Sequence, residues 1–148
     1  MSISALLKSH HAHCDDLFIQ LEQFCLDGRW NDANLALSQF RNALENHLSE
    51  EEDYVFPAFE VAAGMTNGPT HVMRLEHRQM RELVAQIECA AGEHDGNAAA
   101  GAIEVLLILM QQHNMKEESI LYPMIDQALP AKEIIDTLRE RMEVLCHT

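Results

Sequence analysis

His47-Leu-Ser-Glu-Glu51-Glu52-Asp-Tyr-Val-Phe-Pro57 sets a histidine four residues before a carboxylate and ten before a proline. Sixty-six residues later the chain reads His113-Asn-Met-Lys-Glu117-Glu118-Ser-Ile-Leu-Tyr-Pro123, with the histidine, both glutamates and the proline at the same offsets (113 − 47 = 66). The same shift carries His11 onto His77, Leu17 onto Leu83, Gln20 onto Gln86 and Glu22 onto Glu88. Self-similarity at a fixed spacing marks a repeated supersecondary unit, and here the unit reads as a helical hairpin.

Working outward, residues 4 to 27 carry apolar side chains at helical spacing, with Ser2 or Ser4 as N-cap and Gly28 as stop. His11 falls on that apolar stripe. A second helix is expected from about Asp32, its inner face including Leu35, Leu37, Phe40, Leu44, His47, Glu51 and Val55. Pro57 should kink or end it, since proline lacks the N–H and clashes with the preceding turn. Gly64-Met-Thr-Asn-Gly68-Pro69 is a loop that divides the two copies.

A third helix, about 70 to 91, turns Val72, Met73, His77, Met80 and Val84 inward, and Gly92 and Asn97 offer a C′ glycine and an N-cap around the next turn. The fourth helix runs to about Ala128 with Leu106, Met110, His113, Glu117, Ile120 and Leu121 inward. Beyond Pro130 a short amphipathic helix, 131 to 145, presents Ile134, Ile135, Leu138, Met142 and Leu145. It reads as a lid on the bundle or as a contact in a homo-oligomer. With no strand pattern anywhere, the fold class is all-α, an up-down-up-down four-helix bundle with a short C-terminal fifth helix. Residues 1–148 form a single domain, with hairpins about 4–63 and 70–129.

Loop positions place the histidines. His11 and His47 each lie 18 residues from Arg29, so an antiparallel hairpin holds them level, about 27 Å from the turn at 1.5 Å per residue. His77 and His113 are likewise each 18 residues from Asp95. Short connections then bring four histidines on four inner faces into one layer. Glu51 and Glu117 follow their histidines by one turn on the same face. Carboxylates buried among apolar side chains carry a large desolvation penalty that a cation removes. Four imidazoles and two carboxylates exceed one tetrahedral site but suit two metal ions sharing bridging carboxylates. One histidine on an apolar stripe is usually a satisfied core residue; four at one level make a metal layer the better reading.

Composition narrows the partners. A formal charge of −14 with ten Lys and Arg argues against nucleic acid and anionic membrane. No apolar run approaches the roughly 20 residues that span a bilayer, and the N-terminus lacks a secretory pattern, so a cytoplasmic protein is expected. Cys14, Cys25, Cys89 and Cys146 show no close pairing and read as free thiols.

The paired His-x3-Glu-Glu with proline at +10 resembles the hemerythrin-like family of HHE cation-binding domains, over almost the whole chain to about Ala128. The resemblance implies a hemerythrin-like bundle around two non-haem, carboxylate-bridged iron ions, with manganese or zinc as possible substitutes. Carried over by position, the metal ligands are His11, His47, Glu51, His77, His113 and Glu117. Ferritin-like carboxylate proteins use the reverse order, Glu-x-x-His. Oxygen-carrying hemerythrins add a histidine where this chain has Met73, and place their helix-4 carboxylate where it has Glu118. Glu117 is preferred because it matches Glu51. His10, His13 and His71 are further candidates, but point away from His11's direction or sit nearly two turns from His77, and read as surface histidines.

What the resemblance implies is a protein that binds a small diatomic ligand, O2 or NO, or senses oxygen or iron, in a pocket walled by Phe40, Leu44, Leu106 and Met110. The alternative is a di-iron redox enzyme: a peroxidase, a ferroxidase, or one protecting against NO and iron–sulfur stress. Binding or sensing is expected ahead of catalysis.

Overall fold

The computed structural model describes residues 1–65 and 67–147, with side chains placed up to Val144. Helix α1 (Ile3–Leu26) starts under Ser2, whose hydroxyl accepts the Ala5 N–H at 2.9 Å. Helix α2 (Trp30–Glu50) passes into a π turn, Glu51–Val55, and then into α3 (Phe56–Ala63). The second copy gives α4 (Pro69–Gly92), α5 (Gly96–Lys116), a π turn at Glu117–Leu121 and α6 (Tyr122–Ala128); α7 (Ala131–His147) follows. Helices α4 and α5 begin and end 66 residues after α1 and α2 (69 − 3 = 66; 116 − 50 = 66). The repeat therefore holds at the level of the backbone. Among the described residues there is no strand.

Helix α1 lies along α2, α4 along α5, and the hairpins meet through α2 with α4 and α1 with α5. Two apolar blocks fill the interior. One, near the two hairpin turns, contains Phe18, Phe40, Met80, Ile87 and Leu106. The other, at the opposite end, gathers Ile3, Leu7, Phe56, Met73, Tyr122 and Leu138. Leu7 belongs to the second block and Cys14 to the first, so the helical turn that carries His11 passes between them. In α7, Ile134, Ile135 and Leu138 are buried in the second block and cap that end of the bundle. Leu145, expected on the same stripe, lies outside the described side chains, as do Cys146 and His147.

Several inward positions differ from the simple helical reading. Leu35, Val72 and Ile120 are 62%, 45% and 56% exposed. In α2 the inner face is carried by Ala33, Ala36, Leu37 and Phe40; Leu35 is two residues from Leu37 and cannot share its face. Val72 gives way to Met73 for the same reason. Ile120 is displaced by the π turn, which closes five residues on, with the Tyr122 N–H donating to the Glu117 carbonyl. The inward position then falls on Leu121, as it falls on Val55 in the first copy.

That wide turn also gives Pro57 its place: the regular α2 stops at Glu50 and a new helix begins at Phe56, just before the proline. Pro57 occupies the first turn of α3, directly after the π turn, where a missing N–H costs nothing. Pro123 does the same in α6. Between α4 and α5, the left-handed residue is His94 (φ 56°) rather than Gly92, and the N-cap is Asp95, accepting from Ala98 N, rather than Asn97. His94 is the counterpart of Gly28 (φ 68°), and its ring stacks on Trp30 with centroids 5.6 Å apart.

Candidate metal centre

Each of the four inner helices brings one histidine to the layer between the apolar blocks. His11, His47, His77 and His113 are all buried, and Glu51 and Glu117 are fully so. His11 and His47 are neighbours, ring centroids 4.8 Å apart, and His77 and His113 are neighbours at 5.0 Å. Each hairpin thus contributes a pair.

The two glutamates join the pairs. Glu51 Oε1 lies 3.3 Å from both His47 Nε2 and His77 Nε2. Glu117 Oε1 lies 3.1 Å from His113 Nε2 and 3.0 Å from His11 Nε2. Both carboxylates sit on π turns, a form that recurs at functional sites because its extra residue re-aims the side chains. All six residues named from the sequence therefore meet in one layer.

The outer nitrogens of three rings are held by carboxylates. His11 Nδ1 donates to Glu118 at 2.7 Å, His77 Nδ1 to Glu52 at 2.7 Å, and His113 Nδ1 to Glu76 at 2.8 Å. Such bonds fix the tautomer that leaves Nε2 free for an ion. Glu118 is thus outside His11, not beside Glu117 as an alternative ligand. Arg81 donates to both oxygens of Glu52 and to Glu45. Lys116 pairs with Glu76.

Tyr122 is fully buried, and its hydroxyl stands 2.8 Å from Glu51, 3.1 Å from Glu117 and 3.0 Å from His11 Nε2. Its counterpart in the first copy is Phe56. Phe56 stacks on His77 as Tyr122 stacks on His11. Sequence reasoning missed Tyr122 along with Glu52 and Glu76. The repeat did signal the first two, through the doubled Glu-Glu and the Phe/Tyr exchange before each proline; Glu76 reaches His113 from another helix, which spacing along one helix does not reveal.

Of the other histidines, His13 and His71 are exposed. His10 is not simply on the surface: it is half-buried and packs edge-on against His47. Met73, standing where oxygen carriers have a histidine, is buried in the apolar block beyond the layer. Cys14 lines a side pocket near His47, and burial pushes its thiol up to about 12.

The carboxylates of the layer favour the protonated rings of His11 and His77. Burial works to lower the pKa of His11, but the carboxylates of Glu117 and Glu118 outweigh it and raise the ring to about 9. His77, opposed by burial in the same way, is raised to about 9 by Glu51 and Glu52. Burial favours a neutral Glu51, but His47 and His77 hold its carboxyl well below the usual range. Burial and the two nearby carboxylates keep Tyr122 a neutral phenol.

The donor set fits metal. Among the described residues His47 Nε2, His77 Nε2, His113 Nε2, Glu51 Oε1 and Glu117 Oε2 are buried without a hydrogen-bond partner, an expensive arrangement unless a cation takes their lone pairs. Donor atoms of Glu51, His77, His113 and Glu117 lie within 4.8 Å of one another, and so do those of His11, His47 and Glu117. Two overlapping groups share a carboxylate.

A helical bundle with a buried histidine and carboxylate layer of this kind defines a cation-binding helical domain. The hemerythrin HHE cation-binding domain model matches residues 2–125, and the chain belongs to that family. Comparison with curated proteins and with solved structures gives no match. No helix among the described residues is long and apolar enough to cross a membrane.

Proposed function

We propose that the layer holds two iron ions and that the protein binds O2 or NO there, or uses the centre to sense oxygen or iron. His11 and His47 would serve one ion, His77 and His113 the other, with Glu51 and Glu117 shared. The observation that carries this reading is the set of unpartnered buried donors on both sides of two carboxylates. Bound there, iron would supply a redox-active centre able to take up a diatomic ligand.

The chain's own residues shape what reaches that position. Phe40 and Leu106 are fully buried on the hairpin-turn side, and Val55, Phe56 and Leu121 on the other; they exclude bulk water and leave small apolar molecules as the favoured guests. Glu52, Glu76 and Glu118 hold three rings in the metal-binding tautomer. Metal analysis after anaerobic ferrous loading, followed by absorption spectra under O2 and NO, tests the proposal. About two irons per chain and a reversible adduct are expected; a chain that takes up no iron would sink it.

One observation favours a second reading, a redox enzyme of the peroxidase, ferroxidase or NO-protective kind. Tyr122 holds a proton at its hydroxyl oxygen within 2.8 Å of Glu51, where it can be delivered to a bound ligand during turnover. Stopped-flow mixing of the ferrous protein with O2, NO and peroxide separates the two. Net reoxidation that slows in Tyr122→Phe marks an enzyme, and a stable adduct marks a binder.

A further inference from the structure

The two hairpins differ in how each supports its second histidine. On the α5 side His113 Nδ1 donates to Glu76, which pairs with Lys116. Shifted back by 66 residues, Glu76 becomes His10 and Lys116 becomes Glu50. The chain of groups beside His47 is therefore inverted in charge: carboxylate outermost, imidazole between, and no carboxylate on His47 itself.

The inversion leaves donors without partners. Glu50 is 2% exposed, and among the described residues neither of its oxygens is hydrogen-bonded. His10 Nδ1 stands 3.3 Å from Glu50 Oε2, too poorly placed for a hydrogen bond. Both nitrogens of His47 are also unpartnered, and with Nε2 facing Glu51, Nδ1 remains for another use. Donor atoms of His10, His47 and Glu50 fall within 4.8 Å of one another. A pocket of about 510 Å³, lined by His10, His13, Cys14, His47 and Glu50, opens beside them.

We propose that His10, His47 and Glu50 form a separate site for a divalent transition-metal cation, reached from this pocket and distinct from the shared layer. Two imidazoles and one carboxylate are a three-ligand set with a position left for water, the open arrangement that zinc and ferrous ions accept. A buried carboxylate with no hydrogen bond is costly; an ion beside it removes that cost, as Lys116 does for Glu76 in the other hairpin. His47 would serve this ion through Nδ1 while its Nε2 faces the shared layer.

The test is equilibrium dialysis of the full chain against Zn2+ alone, for the wild type, Glu50→Gln, His10→Ala and the double variant His10→Glu with Glu50→Lys. The double variant installs the Glu76 and Lys116 pattern, which the other hairpin already accommodates, so it keeps the fold. Each variant should bind one zinc fewer than the wild type. An anomalous difference map at the zinc edge should place a peak between His10, His47 and Glu50 in wild-type crystals. Equal zinc content in all four proteins, or zinc peaks confined to the central layer of the wild type, would overturn the proposal.

Discussion

The two hairpins use the same backbone for the same layer, yet support it by different means. In the second, His113 is backed by Glu76 and Lys116; in the first, His47 is backed by no carboxylate and faces His10 and Glu50. In the second, a tyrosine hydroxyl enters the layer; in the first, a phenylalanine fills the same place. What the copies share is what a cation needs from both sides. Where they part is around the layer, which is where a symmetric site acquires distinct halves.

The strongest test of that division removes the shared part. Glu51→Ala and Glu117→Ala should each cost more metal affinity than the roughly 10–100-fold that loss of an outer partner costs, and to similar extents in the two copies. Metal content after dialysis, beside circular dichroism to show folding, measures it. If either variant retained full metal, its glutamate would not be a ligand and the shared layer would be broken.

Outer partners come next, and here the copies should differ. Glu76→Ala and Glu52→Ala should weaken metal binding by about 10–100-fold, since each carboxylate is itself fixed by a cation, Lys116 or Arg81. Glu118→Ala should cost less: its carboxylate is 35% exposed, and water can replace it at His11. Equal losses in all three would mean that the cations behind Glu52 and Glu76 contribute nothing.

The metal-free protein should show its own symmetry through pH. His11 and His77 are both raised to about 9 from an unfolded value of 6.5. A raised value means that protonation favours the folded state, so this stabilisation is fully present below pH 6.5 and lost as pH rises through about 9. Urea unfolding of the metal-free chain across that window should show a falling midpoint. Bound metal replaces those protons, so the loaded protein should lack the fall; an unchanging metal-free midpoint would contradict the raised values.

Tyr122→Phe copies the first hairpin's solution into the second. It keeps the ring on His11 and deletes a hydroxyl bonded to charged carboxylates, at an expected cost of about 1–3 kcal/mol in the metal-free protein with metal content unchanged. A loss of metal would instead make the hydroxyl part of the ligand set.

The parts legible in sequence are those that repeat along one helix. His47 with Glu51 and His113 with Glu117 advertise a shared face, and equal distances from the turns level all four histidines. Support that crosses between helices is not written that way: the doubled Glu-Glu marks Glu52, but that it meets His77, and that Glu76 meets His113, is settled only when packing sets the helices side by side. The π turns were hidden for a related reason. Their wider closure costs backbone hydrogen bonds locally and is selected by the layer and the following proline, not by the propensities of Glu51 to Val55 or Glu117 to Leu121. Leu35 and Val72 misled because alternation of apolar residues is denser than one helix face can bury.

The smallest predicted effect lies at the hairpin turns, far from the layer. Gly28 and His94 occupy the same left-handed position, which costs a non-glycine residue roughly 1–2 kcal/mol. His94 recovers part of that by stacking on Trp30, an indole the second copy lacks because its counterpart is Gly96. A stacked ring pair contributes about 0.5–1.5 kcal/mol, so the two effects nearly cancel. His94→Gly should therefore change unfolding stability by less than about 1 kcal/mol, while His94→Gly made in a Trp30→Ala background should be stabilising, because only the strain is then removed. If the single substitution cost well over that amount, the stack would outweigh the strain, and the second hairpin's turn would depend on the first hairpin's tryptophan.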